Sequence, residues 1–316
     1  MSEGQEPLAV GIDFGGTSVK CGVVDGAKVV TTADRLHTRD YENAPSLIDA
    51  MAATVETLRA EHPAIAAVGI GMPGFVDFES GLVHNLSNVP GWQKIPMRDE
   101  FQARCELPCQ VENDANAMTY AEWKLGAAQG CQHVVALTLG TGVGGGIVSH
   151  GFFVRGARSA AGELGQASIH YEGRQGAYGN LGALEDYIGN NELAAEAQFA
   201  YARTGTEKTL AECQPAELAR AAREGDAIAK EIWDDAATKL ASGLVDCCYL
   251  LNPEIIVIGG GVAKAGDLLF KPLQIALFSQ LSGPFKDHLR IVPAHFGNEA
   301  GMIGAARLAL EEAGLV

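Results

Sequence analysis

The chain has 316 residues, which is enough for two domains or one large α/β domain. With 47% hydrophobic and 20% charged residues its composition is globular, which excludes a disordered or membrane-embedded chain. The formal net charge of −16 disfavours nucleic acid and anionic lipid as partners, so an anionic ligand would have to be held by local backbone dipoles and metal.

Targeting signals and cysteine frameworks are not predicted. Residues 1–7 contain no positive and no apolar segment, and no apolar run reaches about 18 residues, so neither a signal peptide nor a membrane span is expected. The seven cysteines are scattered and form no C-x-x-C pair, which excludes a disulfide framework or zinc ribbon. We therefore expect a cytosolic protein whose cysteines serve as small apolar side chains.

The N-terminal part reads as α/β. Glycine turns at Gly15-Gly16 and Asp25-Gly26 separate apolar runs and predict a three-stranded antiparallel meander. An amphipathic helix, a buried strand, long loops, another strand and a helix follow. The predicted strands are 8–14, 19–24, 28–32, 65–71 and 107–112, the helices are 45–61 and 115–128, and the loops span 72–96 with room for one hairpin.

The strand, glycine turn and strand recur about 125 residues later, which indicates a duplicated domain. Residues 133–139 are predicted as a strand, 140–146 as a turn and 147–148 as a returning strand. Further helices are predicted at 184–204, 215–224, 226–251, 262–280 and 299–314, and strands at 254–258 and 289–293. We expect an N-terminal α/β lobe over 1–116 and a C-terminal α/β lobe over 117–299, with a last helix over about 300–316 that packs back on the first lobe.

Three glycine turns, at Gly15, Gly140 and Gly259, each follow an apolar strand. The N–H groups of such turns can converge on phosphate oxygens without lysine, although a single turn of this kind can equally be a tight hairpin. The segment from Gly140 also fits G-x-G-x-x-G, but a strand rather than a helix follows it, which excludes a dinucleotide site. A P-loop is excluded because the chain has no Gly-Lys dipeptide.

Polar groups with a possible binding role stand at a strand end and beside a glycine-rich stretch. Asn113 and Asp114 follow a predicted strand where a helix begins, which is where α/β proteins place ligand groups. The alternative is that they only cap the helix. Glu163 and Glu185 flank residues 173–182 and are either ligand groups or solvated loop charges. The histidines lack H-x-x-x-H and H-E-x-x-H spacing, so no histidine site is predicted.

Seven motifs occur in the order seen in the ROK family of sugar kinases and sugar-responsive repressors, and the chain most resembles its glucokinase-like members over roughly residues 8–312. The motifs are 11–17 (GIDFGGT), 71–74 (GMPG), 88–92 (NVPGW), 112–117 (ENDANA), 139–146 (LGTGVGGG), 162–165 (GELG) and 258–261 (IGGG). This resemblance implies an actin-like, ribonuclease-H-like ATPase fold: a duplicated α/β fold of two lobes with the active site in the interlobe cleft.

The resemblance also implies ATP and Mg²⁺ as cofactors and a hexose as substrate. Asp13 would hold Mg²⁺, directly or through water, and Asp114 would be the catalytic base. The sugar would contact Gly74, Asn88, Asn113, Asp114, Glu163 and Glu185. The nucleotide would contact Asp13, Gly15, Gly16, Thr17, Lys20, Gly140, Thr141, Gly142, Gly144, Gly259, Gly260 and Gly261. The chemistry agrees, because a sugar hydroxyl needs a carboxylate to accept its proton while Mg²⁺ and backbone donors absorb phosphoryl charge.

The chain departs from the family at one place. Glucokinase-like members bind structural zinc through one His and three Cys, and here the matching positions are Gln166, Gly176, Tyr178 and Ala183. Because all four ligands are absent together, no structural zinc is expected. Packing would have to fix the loop, with Tyr171, Tyr178 and Arg174 available. The family's zinc-bound His also touches the sugar, so Gln166 is expected to replace that contact and to alter sugar preference more than reaction type.

The leading expectation is therefore an ATP-dependent kinase that converts glucose to glucose 6-phosphate. The alternatives are a kinase of fructose, mannose, N-acetylmannosamine or N-acetylglucosamine, and a sugar-sensing regulator without catalysis. ROK regulators carry an N-terminal helix-turn-helix, for which the strand at 8–14 leaves no room, and the charge of −16 opposes DNA binding. Because family members commonly form dimers, a homodimer is expected.

Overall fold

The computed structural model describes residues 7–86 and 89–316. The chain divides into two compact units. Unit 1 comprises the described residues of Met1–Gly130 with Arg155–Ala161 and His295–Val316, and unit 2 comprises Cys131–Val154 and Gly162–Ala294. The expected lobes of 1–116 and 117–299 stay a prediction. Among the described residues, no helix combines the length and the apolar character that crossing a bilayer requires.

Runs of strands and runs of helices follow one another along the chain. The strands are β1 (Leu8–Phe14), β2 (Ser18–Asp25), β3 (Lys28–Thr32), β4 (Leu36–His37), β5 (Ile65–Met72), β6 (Val76–Asp77), β7 (Leu82–Asn85), β8 (Gln93–Pro96), β9 (Cys109–Asn113), β10 (Val134–Leu139), β11 (Val143–Ser149), β12 (Phe152–Phe153), β13 (Ile255–Gly259) and β14 (Arg290–Pro293). The α-helices are α1 (Ala44–Glu61), α2 (Met97–Cys105), α3 (Asp114–Lys124), α4 (Glu185–Ile188), α5 (Asn190–Arg203), α6 (Pro215–Arg223), α7 (Ala227–Leu251), α8 (Asp267–Gln280), α9 (Gly283–Lys286) and α10 (Ala300–Glu312).

The main sheet of unit 1 has the strand order β3-β2-β1-β5-β9, with β4 beside β2. β1 pairs antiparallel with β2 and parallel with β5. Because alternate residues of a strand face opposite sides, Val10 and Ile12 enter the core that contains α1. Gly11 faces α10 instead, where a Cβ would overlap the carbonyl oxygen of Met302. Glycine at this position therefore lets the α10 backbone contact the sheet directly.

Residues 72–96, predicted as long loops with room for one hairpin, contain a small antiparallel sheet of β6, β7 and β8. Helix α2 follows and was not predicted, because its sequence is mostly polar. Its buried residues Met97, Phe101 and Cys105 nevertheless recur every fourth position, which is the helical period. These side chains attach α2 to the same core as α1.

The sheet of unit 2 has the order β12-β11-β10-β13-β14, with β10 antiparallel to β11 and parallel to β13. The two sheets thus share order and strand directions, as the duplicated α/β fold predicts. The predicted turn over 140–146 is wrong at its end, because β11 already begins at Val143. Its glycines pack closely: a Cβ on Gly145 would lie 2.7 Å from the carbonyl oxygen of Gly162.

Two predicted helices of unit 2 are interrupted. The helix predicted over 184–204 is divided at Gly189 into α4 and α5. The helix predicted over 262–280 consists of a 3₁₀ turn at Val262–Ala265 and then α8, separated by Gly266 at a φ of 63°. Left-handed backbone of this kind favours glycine and ends a helical segment.

All seven cysteines lie in the described part of the chain, where they are buried and none takes part in a disulfide. Burial raises the pKa of the Cys21 thiol to about 12 and that of Cys247 to about 11, so both remain protonated at neutral pH. Their prediction as small apolar side chains is confirmed.

Candidate active site

The predicted metal-binding carboxylate ends the first strand of unit 1. Asp13 Oδ2 accepts a hydrogen bond from Lys20 Nζ at 2.7 Å, and both side chains are partly buried. A Cβ on Gly301, in the first turn of α10, would lie 3.1 Å from Asp13 Oδ1. Mg²⁺ commonly binds through one or two carboxylates, with water and substrate phosphates completing its shell. Asp13, near the end of β1 and just before the glycine turn, has the carboxylate chemistry that such a site requires.

The turn after β1 is short and polar. The N–H of Gly15 donates to the carbonyl oxygen of Ser18 at 2.9 Å, which closes the turn. A Cβ on Gly16 would meet no heavy atom within 4 Å, and the residue is exposed. Gly15, Gly16 and Thr17 therefore form a loop suited to phosphate oxygens.

The predicted base lies in the first turn of α3. The side-chain Oδ1 of Asn113 caps this helix by accepting from the N–H groups of Ala115 and Asn116 at 2.9 and 3.1 Å. Asp114 Oδ1 accepts from the N–H of Ala115 at 2.8 Å. Asn113 therefore caps α3 and fixes the backbone that carries Asp114, while the sugar contacts of both residues stay a prediction.

Asn113 also connects to a second predicted sugar residue. Its Nδ2 donates to the carbonyl oxygen of Gly74 at 3.0 Å. Gly74 has a φ of 77°, which a residue with a Cβ adopts only under strain. The structure thus brings Gly74, Asn113 and Asp114 together in unit 1, whereas Asn88 lies outside the described residues.

In unit 2, the Glu185 carboxylate forms hydrogen bonds with β11, the strand after the glycine turn, and with Gln166, another predicted sugar contact. Its Oε2 accepts from the N–H of Val143 at 2.8 Å, and its Oε1 accepts from Gln166 Nε2 at 3.3 Å. Burial, reinforced by the neighbouring Glu185 carboxylate, raises the pKa of Glu163. The structure therefore brings Glu163, Gln166 and Glu185 together in this unit.

The glycine turns after β10 and β13 meet the start of α5. The carbonyl oxygen of Gly140 accepts from the N–H of Asn190 at 2.8 Å. A Cβ on Gly142 would overlap Glu185 Oε2, and one on Gly261 would lie 4.0 Å from the side-chain amide of Asn190. These approaches place residues 140–142 and 259–261 on one surface, while Gly144 lies within β11.

Asn190 on that surface was not singled out in the sequence. Its buried Oδ1 has no hydrogen-bond partner among the described residues. A buried amide oxygen without a partner is costly, and a ligand hydroxyl or amine can satisfy it. The only local signal was a polar residue after Gly189 at a helix start, which is common wherever helices begin.

The segment that departs from the family is closed by hydrogen bonds. Backbone pairs join Ile169 to Gly182 at 2.8 Å and Gly182 to Arg174 at 2.7 Å. The Arg174 guanidinium lies over the Tyr187 ring at 4.6 Å and donates to the carbonyl oxygen of Asp186. Of the three residues expected to fix this loop, Arg174 makes these contacts, whereas the side chains of Tyr171 and Tyr178 are mainly exposed.

Comparison with known proteins agrees with the motifs. The sequence profile of the ROK family matches residues 9–312. Glucokinases from Streptomyces coelicolor and Thermotoga maritima are 32% and 33% identical to this chain, over 96% of it and 98% of each relative. The crystal structure of a ROK family glucokinase from Streptomyces griseus, in complex with glucose and AMPPNP, matches with a TM-score of 0.83 and 31% identity over 96% of this chain and 99% of that chain. The chain therefore belongs to the ROK family.

Proposed function

We propose that this protein is an ATP-dependent hexose kinase that phosphorylates glucose to glucose 6-phosphate. The observation that carries the proposal is the carboxylate of Asp114 in the first turn of α3, with its backbone fixed by the Asn113 cap. The glucokinases similar to this chain over almost their whole length support the same reaction.

The reaction follows from the chemistry of these groups. The sugar hydroxyl oxygen forms a bond to the γ-phosphorus of ATP while the bond from that phosphorus to the bridging oxygen breaks, which releases ADP. Asp114 accepts the hydroxyl proton, because a neutral hydroxyl is a poor nucleophile. Sugar hydroxyls in turn bind the acidic and amide side chains, since each carboxylate oxygen accepts hydrogen bonds from adjacent hydroxyls.

The nucleotide would be held mainly by backbone. The N–H groups of Gly15 and Gly140 close their own turns by donating to the carbonyl oxygens of Ser18 and Gly142. The phosphates would therefore be bound by other N–H groups of the two turns, and Asn190 Oδ1 offers an acceptor to the nucleoside. Asp13 would hold Mg²⁺, which would supply positive charge near the phosphates. Backbone donors suit this chain because its 23 Lys and Arg residues are outnumbered by 39 Asp and Glu residues.

Gln166 bears on which sugar is preferred. Its Nε2 donates to Glu185 Oε1, so its side-chain oxygen is the group oriented to accept from a sugar hydroxyl. Asn180 Nδ2 donates to the main-chain oxygen of Gln166 at 2.8 Å and fixes its backbone. These contacts support a direct role for Gln166 in sugar recognition.

A coupled assay of ADP release tests the proposal across glucose, mannose, fructose, N-acetylglucosamine and N-acetylmannosamine. We expect the highest kcat/KM with glucose and a phosphate ester at C6 by ³¹P NMR of the product. A different best sugar would retain the kinase and correct the substrate. No ADP release with any hexose, from protein that binds both ligands, would favour a sugar-sensing regulator and overturn the proposal.

The same proposal includes the cellular location and the oligomeric state of the protein. A kinase that consumes ATP is expected in the cytosol, and the family resemblance implies a homodimer. Light scattering after size-exclusion chromatography measures the assembly directly, and a mass of one chain, 33.1 kDa, would contradict the dimer.

A further inference from the structure

A short segment of unit 1, Arg155–Ala161, holds a buried ion pair. Arg155 Nε donates to Glu112 Oε2 at 2.9 Å, and only 2% of the Glu112 side chain is exposed. The Arg155 guanidinium carbon also lies 3.6 Å from the centre of the Phe78 ring. A planar guanidinium can make both contacts at once, which a lysine ammonium cannot.

Several further contacts fix this segment. The N–H of Phe78 donates to Ser159 Oγ at 3.1 Å, and the N–H of Ala161 donates to the carbonyl oxygen of Arg155 at 2.9 Å. Gln110 Nε2 donates to the carbonyl oxygen of Phe78 at 3.2 Å. Arg155 is therefore held by strand β9, by Phe78 and by its own loop.

The other oxygen of Glu112 reaches the turn that carries the proposed base. Glu112 Oε1 accepts from the N–H of Asn113 at 2.8 Å and from Asn116 Nδ2 at 3.0 Å. One buried carboxylate thus links Arg155 to both sides of Asp114. Without Arg155 this carboxylate would be a buried charge that lacks its cation, and it would have to turn toward water or take up a proton.

We propose that Arg155 is a positioning residue for Asp114, acting through Glu112 on the turn from Asn113 to Asn116. The inference rests on the proposed function of Asp114 as the base. The physical basis of the inference is that the rate of phosphoryl transfer is sensitive to small displacements of the catalytic carboxylate. The binding of ATP depends on other residues.

The test compares Arg155→Met with Arg158→Met, a change at an exposed arginine of the same segment. We expect R155M to lower kcat about 10- to 100-fold while KM for ATP stays within about twofold, and R158M to leave both unchanged. Arg155→Lys keeps the charge and should recover part of kcat. A kcat for R155M equal to that of R158M would overturn the proposal.

A double variant separates positioning from folding. Glu112→Gln combined with R155M removes the buried charge, so its Tm should recover relative to R155M while kcat stays low. Recovery of both would mean that Arg155 only neutralises Glu112.

Hydrogen exchange supplies a readout independent of turnover. The amides of Ala115 and Asn116, which Asn113 caps, should exchange faster in R155M than in the parent protein and R158M. Unchanged exchange would contradict the link to this turn. If the parent protein phosphorylates no hexose but this exchange still increases, the link stands and the proposed function fails.

Discussion

The side-chain oxygen of Asn113 is engaged by two N–H groups of α3, and its amide nitrogen is engaged by Gly74. A direct contact with sugar would therefore have to share these atoms. Asn113 contributes first by placing its neighbours: it fixes the helix start at Asp114 and orients the Gly74 loop. Its predicted sugar contact stays a prediction, and its contacts within the protein explain why an amide suits this position.

Replacing Asp114 tests the base. Asp114→Asn should lower kcat by about 10²–10⁴ because the amide cannot accept the proton. The affinity for sugar should stay within several-fold, because the amide still forms hydrogen bonds. Steady-state kinetics and calorimetric sugar binding measure the two effects, and Asp99→Asn, at a side chain 72% exposed, is the matched control. Near-normal turnover in D114N would exclude Asp114 as the base.

Glu163 predicts a pH dependence of sugar use. Its raised pKa means that the carboxyl keeps its proton to higher pH than an ordinary Glu, whose value is 4.5. Because the ionised carboxylate is the better acceptor, kcat/KM for sugar should fall as pH decreases through this raised value. Glu185→Gln removes the neighbouring negative charge, so the acidic limb should move to lower pH, even if the maximum also falls.

The control for that shift is Glu172→Gln, which alters an exposed carboxylate in the same part of the chain. It should leave the acidic limb unmoved. An acidic limb that stays in place in E185Q, or moves to higher pH, would show that Glu163 does not set it.

Local motifs could single out Asp13, Asp114 and Glu163 as candidates, because each stands in a short sequence pattern, and their roles stay predictions. Arg155 and Asn190 could not be identified in this way. The partner of Arg155 is Glu112, 43 positions away in sequence, and the significance of Asn190 depends on its approach to Gly261. Both contacts arise from tertiary packing, so neither the periodicity of the sequence nor a turn motif predicts them.

At the scale of elements, the turn after β13 gives a matched pair of glycine substitutions. Gly260 has a φ of 87°, and a Cβ there would overlap the carbonyl oxygen of Leu139. Gly261 has a φ of −65°, and a Cβ there would make only ordinary van der Waals contact, at 4.0 Å from the Asn190 side-chain amide. Gly260→Ala should therefore lower the free energy of unfolding by about 1–3 kcal/mol or more, and Gly261→Ala should leave it nearly unchanged. Chemical denaturation measures both, and equal stabilities would contradict this reading of the turn.

The long periodic elements, such as α7 and β1, could be predicted from sequence, whereas β11 and α2 show what local patterns miss. Val143 opens a strand with three glycines, a composition that favours a turn. Pairing with β10 and close packing against Gly162 determine the conformation instead. In α2 the apolar stripe of Met97, Phe101 and Cys105 is present but narrow, because polar residues fill the positions between them.

The segment 163–185 is predicted to bind no zinc. A structural site needs about four N or S ligands, and this segment has no Cys and one His, His170. Elemental analysis should find well under one zinc per chain. A zinc-selective chelator with Mg²⁺ in excess should change neither activity nor Tm, because no metal-binding free energy is linked to folding. Stoichiometric zinc, or unfolding on chelation, would mean that other ligands reach this segment.

At the scale of the whole molecule, the two sheets repeat one arrangement: a hairpin at one side and two parallel strands at the other. Each repeat ends its first strand in a glycine turn, after Phe14 in unit 1 and after Leu139 in unit 2. The proposed base belongs to unit 1, and Glu163, Gln166 and Glu185 belong to unit 2. The repeated arrangement thus places one glycine turn in each unit, whereas the predicted sugar contacts differ between the units.

The proposed function uses groups of both units, with the base in unit 1 and further predicted sugar contacts in unit 2. Binding of sugar is therefore expected to make the molecule more compact, which also excludes water that would otherwise accept the phosphoryl group. Small-angle scattering with and without saturating glucose should show a smaller radius of gyration with glucose. Asp114→Asn should show the same decrease, because it retains sugar affinity but turns over slowly. An unchanged radius in both proteins, with calorimetry confirming that glucose is bound, would exclude a large closure and require the groups to be assembled before the sugar arrives.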